Sequence, residues 1–224
     1  MLNPSHIFSG HAYDTGSGEA IRGIAERDHA TILEFLALLE ERMIDTASLD
    51  ISVGSTPSLF HHRKLSTGAT NNLELHPGNY VFYDRQQLHT GACASESSIA
   101  AFVLARVVGR YDDARRNAVM VDAGATALTK EAAPQGGACA VLGRPELECY
   151  RASQEVTMIR RRDGAAFPVG DFPLGATVLL LPNHSCLTAA CFDTYHVVDS
   201  GDAPLSTDSE IVDTWKPVRG WAGA

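Results

Sequence analysis

Apolar and polar positions follow two different rhythms along this chain, and the change falls near Ser98. Before it, the strongest pattern is helical. From Gly18 to Met43, the residues Ile21, Ile24, Ala25, Ile32, Leu33, Leu36 and Leu39 recur on one stripe, with Glu26, Arg27, Glu34, Glu40, Glu41 and Arg42 largely between them. That spacing predicts an amphipathic helix, with Ser17 or Asp14 placed to cap its start. Two β-type runs follow, Leu49-Asp50-Ile51-Ser52-Val53-Gly54 and Asn79-Tyr80-Val81-Phe82-Tyr83-Asp84. Helix, strand, loop, strand predicts an α/β fold, in which loops after strand ends hold ligands.

After Ser98 the pattern becomes short β-branched runs separated by Gly and Pro. They are Ile99 to Val108, Ala118 to Asp122, Val156 to Ile159, Thr177 to Leu181, Thr194 to Val198 and Ile211 to Trp215. This spacing predicts a β-rich domain. The Ala/Gly-rich stretch from Lys130 to Arg144 predicts a mobile loop.

Composition narrows the function classes. The chain has 224 residues, 45% of them apolar and 20% charged, as in an ordinary globular protein. A net charge of −9 with no basic run argues against nucleic acid or a membrane surface as partner. The apolar runs are too short for a membrane span, and Met1-Leu2-Asn3-Pro4-Ser5-His6 has no export signal, so a cytoplasmic location is expected. The odd count of 5 cysteines, without framework spacing, fits free thiols in a reducing compartment.

Three segments carry candidate chemistry. Ser52-Val53-Gly54-Ser55-Thr56-Pro57 places a glycine, hydroxyls and a proline directly after a strand, a turn suited to an anion. His76-Pro77-Gly78-Asn79-Tyr80 offers a second such turn, although either could be a turn and nothing more. Leu181-Pro182-Asn183-His184-Ser185-Cys186 sets an imidazole and a thiol two positions apart, on one face if the segment is extended. Nitrogen and sulfur suit zinc, but a closed structural site needs four ligands, and a strand-end histidine beside a buried cysteine is the alternative.

Taken in order, Gly10-His11-Ala12-Tyr13, Ser52 to Pro57, Pro77 to Asp84, Val121-Asp122-Ala123-Gly124 and Pro182 to Cys186 resemble the D-serine dehydratase and D-threonine aldolase family. The resemblance runs from about Ser9 to Trp221. It implies an alanine racemase-like architecture: residues 1–97 as the last part of a pyridoxal phosphate-binding (β/α)₈ barrel, and residues 98–224 as a β-rich domain with a metal site. It implies pyridoxal 5′-phosphate and zinc as cofactors, a small D-amino acid as substrate, and a homodimer in the full-length family. By the same resemblance Tyr13 lines the cofactor pocket, and Thr56, Gly78 and Asn79 meet its phosphate. His184 and Cys186 become the metal ligands; an acidic residue is expected at the latter place in the aldolase branch, so Cys186 favours the dehydratase branch.

The family's Schiff-base lysine stands at the end of a first barrel strand, and none of Lys64, Lys130 and Lys216 has that setting. A whole barrel takes about 250 residues, so the expectation is the C-terminal half of a longer enzyme, inactive alone and in need of an N-terminal barrel half. Glu155-Val156-Thr157 replaces a Glu-His-Gly pattern, and Thr126 stands where lysine is common. Three functions are carried forward. The first is conversion of D-serine to pyruvate and ammonia; the second is a D-threonine aldolase-like or D-3-hydroxyaspartate lyase activity. The third is a non-catalytic metal-binding or dimerising remnant.

Overall fold

The computed structural model describes residues 5–7, 10–47, 49–62, 73–113, 115–199, 201 and 205–218. Lys64, Ser9, Trp221 and Met1 to Pro4 lie outside them. The chain divides into two compact units, Met1–Ser98 and Ile99–Ala224.

In the first unit, β1 (Ser5–Ile7), β2 (Ile51–Val53) and β3 (Leu73–Leu75) form a three-stranded parallel sheet in the order β1-β2-β3. Between β1 and β2 runs α1 (Gly18–Glu41), started by Ser17, whose side chain accepts from Ala20 N. Its apolar stripe buries Ile21, Ile24, Ala25, Ile32 and Leu36, while Leu33 stays 47% exposed. Ile32 and Leu36 join Leu49, Ile51 and Val53 in one apolar cluster, which is what seats the helix on the sheet. Asp28 lies buried on the same stripe.

The aromatic run Asn79 to Asp84 is not a strand. Phe82 N and Tyr83 N both donate back to Asn79 O, at 3.2 and 2.9 Å, and Tyr83 takes a φ of 53°. Two side-chain bonds lock this coil: Asn79 Nδ2 donates to Asp84, and Asp84 Oδ1 accepts from Gln87 N at 2.8 Å, capping α3 (Arg85–Thr90). Local polar bonds outcompete the strand propensity of Tyr-Val-Phe-Tyr. A four-residue helix, α2 (Leu59–His62), follows the turn after β2.

The second unit is built on β4 (Val103–Tyr111), β5 (Ala118–Val121), β6 (Cys139–Val141), β7 (Leu147–Ala152), β8 (Thr157–Arg161) and β9 (Thr177–Pro182). They form one antiparallel sheet in the order β6-β9-β4-β5-β8-β7. The sheet curls until its edges meet, Ala138 N donating to Cys149 O at 2.8 Å, and makes a nearly closed six-stranded barrel. Inward residues alternate along β4 and join Val119, Val121, Leu147, Cys149, Ile159 and Leu180 in the core. Helix α4 (Ala125–Leu128) follows β5, α5 (Ser185–Ala190) follows β9, and β10 (Tyr195–Val198) pairs with β11 (Ile211–Trp215) as a separate ribbon.

The stretch from Lys130 to Arg144 is more ordered than its composition predicts. It contains β6, and the Asn183 side chain donates to Glu131 O at 2.8 Å and to Gly137 O at 3.0 Å. All five cysteines are free thiols. Among the described residues no helix is long and apolar enough to cross a membrane.

Candidate functional site

The turn expected to receive an anion follows directly after β2. Gly54 takes a φ of 98°, a conformation that favours glycine, and swings the chain into Ser55 and Thr56, both buried. Thr56 Oγ1 accepts from Asn79 N at 2.9 Å. The two sequence motifs, 23 positions apart, therefore meet here. A hydroxyl oxygen that accepts from an N–H keeps its own proton to donate. Gly78 N donates to His76 O at 3.1 Å, so both backbone amides of this second turn are engaged within the protein. Gly78 itself faces open space, with nothing within 4 Å of the place a Cβ would take. Tyr13, half-buried, lies in the 3₁₀ turn Gly10–Asp14 that packs against α3.

Beneath the turn sits a polar cluster that the motifs did not reveal. Ser55 N donates to Ser58 Oγ at 3.1 Å, and Ser58 Oγ donates to Ser55 O at 3.3 Å. His62 Nε2 lies 3.1 Å from the same hydroxyl, and its Nδ1 lies 3.3 Å from His29 Nε2 on α1. The Asp28 carboxylate is 3.9 Å from His62 Nε2. Ser58 and His62 are fully buried. The legible signal was Asp28, an acidic residue in phase with the apolar stripe of α1.

Burial lowers the His62 imidazole below its ordinary value of 6.5; the neighbouring His29 lowers it further, Asp28 pulls the other way, and His61 adds a smaller lowering. Burial lowers His29 as well, against Asp28 and Glu26. Both rings therefore bind protons less readily folded than unfolded. The stability they contribute is complete above pH 6.5 and is lost as the pH falls through the folded values. The first unit is expected to melt earlier at about pH 5 than at about pH 7.5. Amide exchange along α1 at the two pH values, corrected for intrinsic rates, measures this; equal protection would contradict it.

His184 and Cys186, the pair expected to hold a metal, belong to the second unit. His184 stands at the N-cap of α5 with extended backbone, φ −138° and ψ 103°, and Cys186 lies inside the first turn of that helix. The extended segment expected from the sequence thus reaches His184 but not Cys186, because α5 begins at Ser185. Both side chains are half-buried. α5 is tied to α4 by Thr188 Oγ1, which donates to Leu128 O at 3.3 Å. Among the described residues no group of three or more His, Cys, Asp or Glu side chains is arranged to hold a metal ion. Imidazole and thiol are donor types that suit zinc.

The two departures from the family pattern adjoin one another. Thr126 Oγ1 donates to Gln154 O at 3.1 Å and to Glu155 Oε2 at 3.0 Å, fastening the start of α4 to the β7–β8 turn. Lys130 and Lys216 are both exposed and both belong to the second unit.

Residues 100–198 match the family model described as "Putative serine dehydratase domain". The D-serine dehydratase of Dictyostelium discoideum is 32% identical over 225 residues, spanning 95% of this chain and 53% of that protein. The D-threo-3-hydroxyaspartate dehydratase of Delftia sp. strain HT23 is 34% identical, spanning 95% of this chain and 55% of that protein. The solved structure of the Delftia enzyme superposes with a TM-score of 0.76 at 29% identity, over 98% of this chain and 57% of that one. Two variants of it superpose equally well: one replaces a histidine by alanine, and the other, in a metal-free form, replaces a cysteine two positions further on. D-threonine aldolase from Filomicrobium marinum, at 20% identity and a TM-score of 0.70, shares the fold. This chain spans about half the length of the curated relatives it matches. It is a homologue of the D-serine dehydratase and D-threonine aldolase family, matching the C-terminal portion of the full-length proteins.

Proposed function

We propose that this chain is the C-terminal portion of a pyridoxal phosphate- and zinc-dependent lyase that converts D-serine to pyruvate and ammonia. One observation carries the reading. The Delftia variants change a histidine and a cysteine two positions apart, the cysteine variant being metal-free, and His184-Ser185-Cys186 is the one place where this chain has that spacing. A thiolate at Cys186 favours zinc over harder ions, which supports a dehydratase over an aldolase.

Thr56, oriented by Asn79 N, would donate its hydroxyl proton to the cofactor phosphate; the open space at Gly78 would leave room for the group, and Tyr13 would line the cofactor pocket. His184 would contribute a ring nitrogen and Cys186 a thiolate to the metal, their spacing set by the start of α5. Bound in these places, pyridoxal phosphate supplies an electron sink for the α-carbon and zinc a Lewis acid for the β-hydroxyl. Residues 1–97 then form the last part of the cofactor barrel and residues 98–224 the metal-bearing domain.

The similarity to the Delftia enzyme supports a second reading, in which a D-3-hydroxyaspartate is the substrate.

Metal content tests the site. Purified protein is expected to carry zinc, and Cys186→Ala to lose most of it, with an affinity loss of about 100-fold from removing a thiolate ligand, or about 2.7 kcal/mol. Zinc content unchanged by that substitution would return His184 and Cys186 to a packing role.

A further inference from the structure

Four hydrogen bonds beneath the anion turn can be satisfied together by one placement of protons. Ser55 N–H donates to Ser58 Oγ at 3.1 Å, and the Ser58 hydroxyl donates to Ser55 O at 3.3 Å. His62 Nε2–H, 3.1 Å away, donates to the same Ser58 oxygen, which has two lone pairs to offer. His62 Nδ1 is then the acceptor for His29 Nε2–H at 3.3 Å. The Asp28 carboxylate, 3.9 Å from His62 Nε2, favours the proton on that nitrogen.

The same imidazole is packed against the turn itself. A Cβ on Gly54 would lie 2.9 Å from His62 Cδ2, so ring and turn fit as one piece. His62 N also donates to Ser58 O at 3.3 Å, closing the short helix α2 over the cluster. From His62 the polar links into the turn run through Ser58 to the Ser55 amide, carbonyl and hydroxyl, next to Thr56.

We propose that His62, acting through Ser58, is the positioning residue of the anion turn: it fixes the Ser55 peptide and so aims the Thr56 hydroxyl. The role rests on the reading that Thr56 receives the phosphate of pyridoxal phosphate. His62 touches no ligand, being fully buried. It donates one proton to Ser58 and holds the ring face against Gly54. A side chain of similar size without that donor keeps the packing and loses the aim. Glutamine, whose amide N–H reaches as far as Nε2, keeps both.

The test uses the full chain and three variants, His62→Leu, His62→Gln and Ser58→Ala, each checked for unchanged far-ultraviolet dichroism. Two quantities are read: the affinity for pyridoxal 5′-phosphate, with inorganic phosphate as competitor, and amide exchange at Ser55. His62→Leu and Ser58→Ala are expected to weaken binding about tenfold and to deprotect the Ser55 amide. His62→Gln is expected to restore both to within about threefold of the parent. A purely space-filling role would make leucine and glutamine alike. If the parent chain binds pyridoxal phosphate while His62→Leu binds as tightly and keeps Ser55 protected, the role of His62 is wrong and the anion turn stands. If the parent binds neither pyridoxal phosphate nor phosphate, the anion reading falls, and the role of His62 falls with it.

Discussion

Alanine at position 124 is expected to destabilise the second unit by about 3 kcal/mol or more, since overpacking against backbone is among the costliest single changes. A Cβ on Gly124 would lie 2.5 Å from both Gln154 O and Val156 N. Those atoms belong to a turn that cannot retreat cheaply. Ser153 O accepts from Ala125 N at 2.8 Å, Gln154 O accepts from Thr126 N at 3.0 Å, and Ser153 N donates to Val156 O at 2.8 Å. Thr157 Oγ1, just beyond, donates to Ala123 O at 2.6 Å. Making room for one methyl group therefore means giving up several of these bonds, or unseating α4. The midpoint of thermal unfolding should fall by roughly 10 °C. Gly170→Ala is the control: nothing lies within 4 Å of its Cβ position, and the midpoint should barely move. Equal behaviour of the two variants would show that the β7–β8 turn is softer than its hydrogen bonds suggest.

That glycine illustrates how much was legible in the sequence. Val121-Asp122-Ala123-Gly124 stood out as a motif, but its reason, a backbone passing against a turn some thirty residues later, exists only in the fold. Helix α1 was readable end to end because its 24 residues repeat one stripe many times over. Most strands of the barrel were readable because β-branched runs dominate them. β6 and β7 were not: Cys-Ala-Val is short, and Leu-Glu-Cys-Tyr-Arg-Ala has one strongly apolar face only when its partner strands are known. Strand β3 was hidden for the same reason, being 3 residues between an Asn-Asn pair and a proline turn.

The site divides in the same way. The two turns were read from turn chemistry and Thr56 and Asn79 within them from the family resemblance, and the two residues meet at 2.9 Å. Local sequence could not say that the Asn79 amide is engaged by Thr56, which leaves the hydroxyl as the donor. Nor could it find the His29–His62–Ser58 chain, whose links span 33 and 4 positions. The His184 and Cys186 spacing was visible, but not the switch from strand to helix between Pro182 and Ser185, because an Asn-His-Ser sequence suits a turn, a strand end or a helix cap alike.

Supplying the remaining portion of a full-length relative is expected to turn an inactive chain into a lyase. The chain's lysines give the reason: Lys130 and Lys216 are exposed residues of the second unit, whereas the resemblance places the cofactor on the first, and Lys64 lies outside the described residues. Alone, the 224-residue chain should release no pyruvate from D-serine, since none of its lysines has the sequence setting of the family's Schiff-base lysine. Fused to or co-expressed with the N-terminal portion of the Dictyostelium enzyme, it should release pyruvate in a chelator-sensitive way. Cys186→Ala in that assembly should cost about 10³-fold in rate, the scale of several kcal/mol of lost Lewis-acid stabilisation. The substrate then sorts the readings. Pyruvate from D-serine supports the dehydratase, while preference for D-threo-3-hydroxyaspartate moves the assignment to the second reading. Cleavage of D-threonine to glycine and acetaldehyde would place the chain in the aldolase branch despite Cys186. An assembled, zinc-loaded protein inert toward all three would leave the non-catalytic reading, with Thr126 and Val156 as the first residues to revert. Pyruvate released by the 224-residue chain alone would overturn the requirement for a second portion.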